Sequence, residues 1–236
     1  MMKKTAGFTL VEVLVSIFVG MIIIAAIYAA VATGQRSAAN MERKVVAGQD
    51  ARAALELMAL EIQMASYNPR LATGIWADAA TCTPGSGIQN YRGIQVATDN
   101  SITVEEDINT TGCVGADCDG DSIVGGSPNE IITYTYNADA DKQYITRSTN
   151  CGANQPFLGD TSGNTRTVRV INTTAVPVFQ YFDSRGVRIT TGTTADTLPA
   201  AIPNIARIDI TLWVETEDVD SNSGQRRRMG YSTSVI

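Results

Sequence analysis

The chain has 236 residues, 44% of them hydrophobic but only 6% aromatic, which is enough for one sizeable core plus an appendage. Its formal charge is −6, and losing Lys3 and Lys4 with a leader would make it more acidic; no nucleic-acid partner is expected of such a surface. It has no histidine and no Gly-rich phosphate loop, which removes Ser-His-Asp, Cys-His and nucleotide-binding chemistry and leaves a non-enzymatic reading.

Lys3 and Lys4 precede a run from Phe8 to Ala32 that is apolar almost throughout, interrupted by Glu12. As a helix this run spans roughly 37 Å, enough to cross a bilayer core of about 30 Å. A secretory signal would be shorter and would end in a turn and a small-residue cleavage site, whereas here the helical pattern continues through Ala29–Ala32. A plain membrane anchor, oriented by Lys3 and Lys4 on the cytoplasmic side, leaves Glu12 unexplained. A carboxylate in a membrane-spanning helix costs at least about 2.5–3.5 kcal/mol and needs a partner. No Lys or Arg lies within two turns of Glu12, so its partner is expected on another chain.

The order Gly7-Phe8-Thr9-Leu10-Val11-Glu12, after Lys3-Lys4 and before an apolar run, resembles the class III signal of type IV prepilins and type II secretion pseudopilins. The resemblance implies cleavage by a prepilin peptidase between Gly7 and Phe8, followed by N-methylation of Phe8. It also implies that Glu12 faces the N-terminal amine of a neighbouring subunit in a filament. Two charges that are costly alone in a low dielectric are tolerable as a pair, so such a contact acts as a register device. Major pilins of this class carry a proline about twenty residues into the mature helix. This chain has Ala29 there and no proline before Pro69, a pattern more usual in minor pilins and pseudopilins.

Beyond Ala32 the helix turns amphipathic. Ala47, Ala51, Leu55, Met58, Ile62 and Ala65 recur at helical spacing and predict a core face, and Asn68-Pro69 is the expected stop. One helix from Phe8 to about Tyr67 follows, with Gly20, Gly34 and Gly48 as weak points for bending.

Residues 70–129 are rich in Gly, Thr, Asn and Asp and read as a connecting, disulfide-tied region, with short strand-like runs at Gly93–Ala97 and Ser101–Glu105. Cys82, Cys113, Cys118 and Cys151 are an even set confined to the head, which predicts two disulfides; Cys113–Cys118 with Cys82–Cys151 is the preferred of three pairings. Asp117, Asp119 and Asp121 alternate as calcium ligands do, which makes calcium a candidate cofactor, although no Glu closes an EF-hand loop. Asp218–Gly224 is a second, weaker candidate that also lies where a hairpin must turn.

From Glu130 the β pattern strengthens. Ile131–Tyr136 and Gln143–Arg147 form an expected hairpin, with further strands at Thr167–Ile171, Val176–Phe182, Ile205–Glu215 and Met229–Val235. Alternation in Ile208–Val214 gives one buried face, and an antiparallel sheet against the second half of the helix is expected. The runs EIITYTYN, VFQYFDSRG and IPNIARIDITLWV, with the helix end Arg52–Tyr67, are similar to PilW-type minor pilins and the J-type pseudopilin.

The sequence thus predicts an α+β fold: a leader (1–7), a transmembrane and polymerisation helix (8–32), its amphipathic continuation (33–68) and a β-rich head (69–236). The resemblance implies a minor pilin that helps initiate a type IV pilus near its tip. The alternatives are a J-type pseudopilin and a tip adhesin. Other pilins through the N-terminal helix, the prepilin peptidase and the inner membrane are the expected partners. The chain would span the inner membrane once before assembly, then sit in a periplasmic or cell-surface filament.

Overall fold

The computed structural model describes residues 7, 9–115, 129–139, 142–159, 168–189, 201–220 and 223–236. Its first element is a single helix, α1 (Leu10–Gln63), of 54 residues and so roughly 81 Å long. The apolar first part is long enough to cross a membrane and is wholly unburied. Burial begins farther along, on one face: Ala47, Gly48, Ala51, Ala54, Leu55, Met58 and Ile62. The helix runs unbroken through all three of its glycines, and Gly48 is a packing position.

The helix ends earlier than Asn68-Pro69 suggests. Ser66 adopts a left-handed conformation (φ 72°), and its amide donates to the carbonyl of Glu105 while its hydroxyl accepts from the amide of Gly93. Tertiary hydrogen bonds therefore stop the helix before proline chemistry does.

The head contains two antiparallel sheets where one was expected. The first is a meander of β1 (Ile94–Ala97), β2 (Ser101–Glu105), β3 (Ile131–Asp139), β4 (Lys142–Thr149) and β5 (Gln155–Leu158), in that spatial order. The second contains β6 (Val168–Val170), β7 (Phe179–Phe182), β8 (Arg188–Ile189), β9 (Arg207–Thr216) and β10 (Arg228–Val235), ordered β10-β9-β7-β8. β6 and β7 share one edge of β9: β7 pairs with its first part and β6 with its last. Between them Asn172 stands in for a strand, accepting from the amide of Trp213 and donating to the carbonyls of Thr211 and Val176. This satisfies backbone groups that the change of partner would otherwise leave bare.

One core joins the helix and both sheets. Met58 and Ile62 from α1, Ile102, Ile132, Tyr134 and Ile145 from the first sheet, and Phe179, Tyr181, Ile210 and Leu212 from the second are all buried in it. Tyrosine hydroxyls tie the sheets reciprocally. Tyr136 reaches the carbonyls of Val170 and Asn172, and Tyr181 donates to the carbonyl of Thr98. A smaller cluster of Ile75, Trp76, Ala77, Cys82, Val114 and Ile131 lies apart from this core. The segment read as connecting thus supplies two sheet strands and an apolar cluster of its own.

Cys82 and Cys151 form a disulfide, 69 residues apart in sequence, which joins this smaller cluster to the β4–β5 turn. Cys113 is also disulfide-bonded. Cys118 and the candidate calcium ligands Asp117, Asp119 and Asp121 lie outside the described residues.

Candidate functional site

At the start of α1, Thr9 is the N-cap in extended conformation (φ −79°, ψ 151°), so the chain at the Gly7–Phe8 junction precedes the first helical residue. Phe8 itself lies outside the described residues. Glu12 closes a capping box. Its Oε2 accepts from the Thr9 amide and from Thr9 Oγ1, each at 2.9 Å, and its own amide donates to Thr9 Oγ1 at 3.3 Å. Thr-x-x-Glu before an apolar run is the sequence signature of this cap. Glu12 therefore has a local partner within the chain, made from hydroxyl and amide donors. The cap leaves the side chain exposed on a helix surface that is apolar in every direction: Leu10, Val11, Val13 and Leu14 are all solvent-facing. An unburied apolar face of this extent requires lipid or other helices around it.

The second junction is where α1 enters the head. The loop between β9 and β10 reaches down to the middle of the helix. Asn40 donates to Asp220 Oδ1 at 2.9 Å, Arg227 pairs with the other oxygen, and Arg43 lies 3.4 Å from Asp218. These contacts occupy the carboxylates of the weaker calcium candidate with structural partners. Among the described residues no group of three or more His, Cys, Asp or Glu side chains is placed to hold a metal ion. The Arg226–Arg228 run is likewise engaged: Arg226 donates to the Glu217 carbonyl and Arg228 to Glu215. Higher up, β10 lies directly on the helix. A Cβ at Gly48 would come within 2.8 Å of Tyr231 Oη, and the Arg52 guanidinium sits over the Tyr231 ring at 5.2 Å.

Near the end of the helix, Glu61 faces the first sheet. Arg147 grips it from β4 with two bonds, Nε to Oε2 at 3.1 Å and Nη2 to Oε1 at 2.6 Å, and Tyr134 from β3 donates its hydroxyl to Oε2. Burial, together with the hydrogen bond to the Glu61 carboxylate, pushes the Tyr134 phenol well above its usual range and keeps it a donor. The bidentate pair fixes the helix rotationally against the first sheet. Glu106, next to this pair, is buried. Desolvation first, then the nearby charges of Glu61 and Glu130, push its carboxyl up to about 7, against a lowering by Arg147. Glu105, on the side of the smaller cluster, is pushed up to about 8 by burial and by Asp78, partly offset by a hydrogen bond from the Ala77 amide. Neither the Glu61 partners nor these buried acids are legible in the sequence, because they depend on long-range pairing between strand and helix.

Taken together, the geometry is that of an anchored rod with a rigidly docked head. The contacts at Asn40 and Arg43, at Gly48 and Arg52, and at Glu61 fix how the head sits on the helix, and the apolar half of the helix stays unburied. No curated protein and no solved structure matches the chain. Residues 2–28 match the prokaryotic N-terminal methylation motif, which spans the Gly7–Phe8 junction, the Thr9–Glu12 cap and most of the unburied apolar run. Residues 2–28 thus carry the N-terminal signal found in type IV pilins and pseudopilins, and the long helix packed on antiparallel sheets behind it gives the chain a pilin-like layout.

Proposed function

We propose that this protein is a minor pilin. After cleavage between Gly7 and Phe8 and N-methylation of Phe8, it enters a type IV pilus through α1 and helps to initiate assembly near the tip. The observation that carries the reading is the continuity of α1. One uninterrupted helix takes the chain from the methylation motif, through an apolar half that is unburied among the described residues, into the core of the head. Such a helix is a poor anchor for an independent ectodomain, since it transmits any movement in the membrane rigidly to the head. It is well suited to a subunit whose helix must pack in register with others.

Glu12 then has two successive partners. In the membrane the Thr9 amide and hydroxyl satisfy its carboxylate within the chain. In the filament it meets the positively charged amine of a neighbouring Phe8, which pairs the charge fully and sets the axial offset. Deleting the gene and examining filaments tests the reading. Loss or shortening of surface pili supports assembly by this subunit. Normal pili with a loss of attachment would point to a tip adhesin, and normal pili with a failure of protein secretion to a pseudopilin.

A further inference from the structure

On β9, Ile208, Ile210, Leu212 and Val214 are buried in the core, so Thr211, Trp213 and Glu215 point to the opposite, outer face of the second sheet. Among the described residues of β6 to β10, Trp213 is the one large apolar side chain that stays exposed, at 42%. Its cross-strand partner on β10 is Gly230. A Cβ added at Gly230 would meet three indole carbons, Cε2, Cζ2 and Cδ2, at 3.2, 3.3 and 3.5 Å. The indole therefore lies across the glycine, and a larger residue there would lift it. Cross-strand packing accounts for the side of the ring on Gly230 and not for the area left open.

Two residues along the same face, Glu215 pairs in register with Arg169 of β6 and Arg228 of β10. Its carboxylate lies 3.7 Å from Arg169, 3.8 Å from Arg226 and 3.3 Å from Arg228. Three guanidinium groups thus gather on one buried carboxylate, in a chain whose formal charge is −6. Arg228 has a side chain 69% exposed and donates one side-chain hydrogen bond, from Nε, which leaves its terminal nitrogens to another acceptor. As a diagonal neighbour of Trp213 its Cα lies about 7–8 Å from that of the tryptophan, so one small ligand can touch both.

We propose that this outer face binds an acidic sugar, with the pyranose ring on Trp213 and its carboxylate on Arg228 and Arg226. The weakly positive C–H face of a pyranose complements the negative face of an indole. A carboxylate borne on that ring falls within reach of the guanidinium groups, which hold such acids through paired hydrogen bonds. Ser232, paired in register with Thr211, adds hydroxyls beside the ring instead of bulk. A protein partner fits less well, because interface anchors sit within a surround of apolar contacts and Trp213 stands among Gly, Ser, Thr and Arg. A nucleic-acid strand brings a charge at every nucleotide to an acidic chain, whereas a glycan ending in one acidic sugar brings a single charge to the arginines.

The inference goes beyond the pilin reading and does not depend on it. Full-length mature protein in a sugar-free detergent is titrated with sialyllactose and with galacturonic acid, followed by tryptophan fluorescence and by saturation transfer to the ligand. At least one acid should bind, roughly tenfold more tightly than its methyl ester, which keeps the ring and loses the charge. Arg228→Gln should weaken binding by roughly tenfold at an unchanged melting temperature. Gly230→Ala removes neither binding group and should weaken it too, because the added carbon displaces the indole. Failure to bind either acid, equal binding of acid and ester, or unchanged binding in either variant overturns the assignment. An oligothymidylate that binds more tightly than both acids makes a nucleic-acid strand the occupant and also overturns it. So does shielding of Trp213 in sheared filaments when the micellar protein binds no sugar, which makes a neighbouring subunit the occupant. None of these outcomes bears on processing at Gly7–Phe8 or on assembly through α1.

Discussion

Gly48 lies beneath the phenol of Tyr231: a Cβ added at Gly48 would sit 2.8 Å from Tyr231 Oη. The glycine is helical, so its value is not conformational freedom but the absence of a side chain where β10 meets α1. Gly48→Val should destabilise the head by about 1–3 kcal/mol, since the extra carbons must displace Tyr231 from under Arg52. Thermal unfolding of the full chain in detergent checks this. Gly34→Val, at an exposed helical position with no neighbour within 4 Å of an added Cβ, should shift the melting temperature far less.

The Glu61–Arg147–Tyr134 cluster should behave as a unit. Glu61→Ala leaves a guanidinium half-shielded from water and unpaired, at a cost of about 2–3 kcal/mol after allowance for partial exposure. Tyr134→Phe removes one donor and should cost about 1 kcal/mol. The double variant should cost less than the sum of the two, because both lose the same carboxylate contact; denaturant midpoints give the coupling.

Stability should fall as pH rises. The carboxyls of Glu105 and Glu106 titrate near 4.5 when unperturbed and near 8 and 7 in the folded head. Between about pH 4.5 and 8 the folded state therefore holds protons that the unfolded chain has released, and the slope of stability with pH is negative. Their contribution is complete below about pH 4.5 and lost above about pH 8. Urea midpoints should drop between pH 5.5 and 8.5, and Glu105→Gln should flatten the upper part of that drop. A flat profile in the wild-type chain would contradict the burial of these acids.

The Cys82–Cys151 bridge closes a loop with a sequence separation of 69 residues. Replacing both cysteines by serine should cost about 2–5 kcal/mol. The loss should be largest in the segment around Trp76, whose apolar cluster lies apart from the main core. Limited proteolysis of the variant should cut there first.

Much of this fold is legible in the sequence where a period repeats. The 3.6-residue stripe through Ala47, Ala51, Leu55, Met58 and Ile62 is the buried face of α1, and the alternation in Ile208–Val214 is the buried face of β9. What is not legible depends on partners distant in sequence. The two short runs before residue 106 look like loop ornament until β3 pairs with β2, and Glu61 looks solvated until Arg147 arrives from β4. Ser66 ends the helix through bonds to Glu105 and Gly93, which no local preference foretells. At the candidate site the failure is of another kind. Thr9 and Glu12 are three residues apart, and their capping box is a local pattern legible in the sequence, one made of neutral donors rather than an opposite charge.

Glu12 offers a separation of roles. Glu12→Ala should leave cleavage at the Gly7–Phe8 bond largely intact but impair incorporation into filaments. Thr9→Val, which removes the hydroxyl of the cap and keeps the backbone donor, should have a milder effect. Quantifying the subunit in sheared filaments against the membrane pool distinguishes them. Incorporation unchanged in Glu12→Ala would remove the charge-pair account of register.

Assembly through α1 depends on cleavage of one peptide bond, Gly7–Phe8. Mass spectrometry of the N-terminal peptide, from protein recovered in the assembled fraction, reads it directly. The expected terminus is N-methylated Phe8 followed by Thr9 and the intact apolar helix. A chain still beginning at Met1, or one cut beyond the apolar run near Ala32, would contradict assembly through α1.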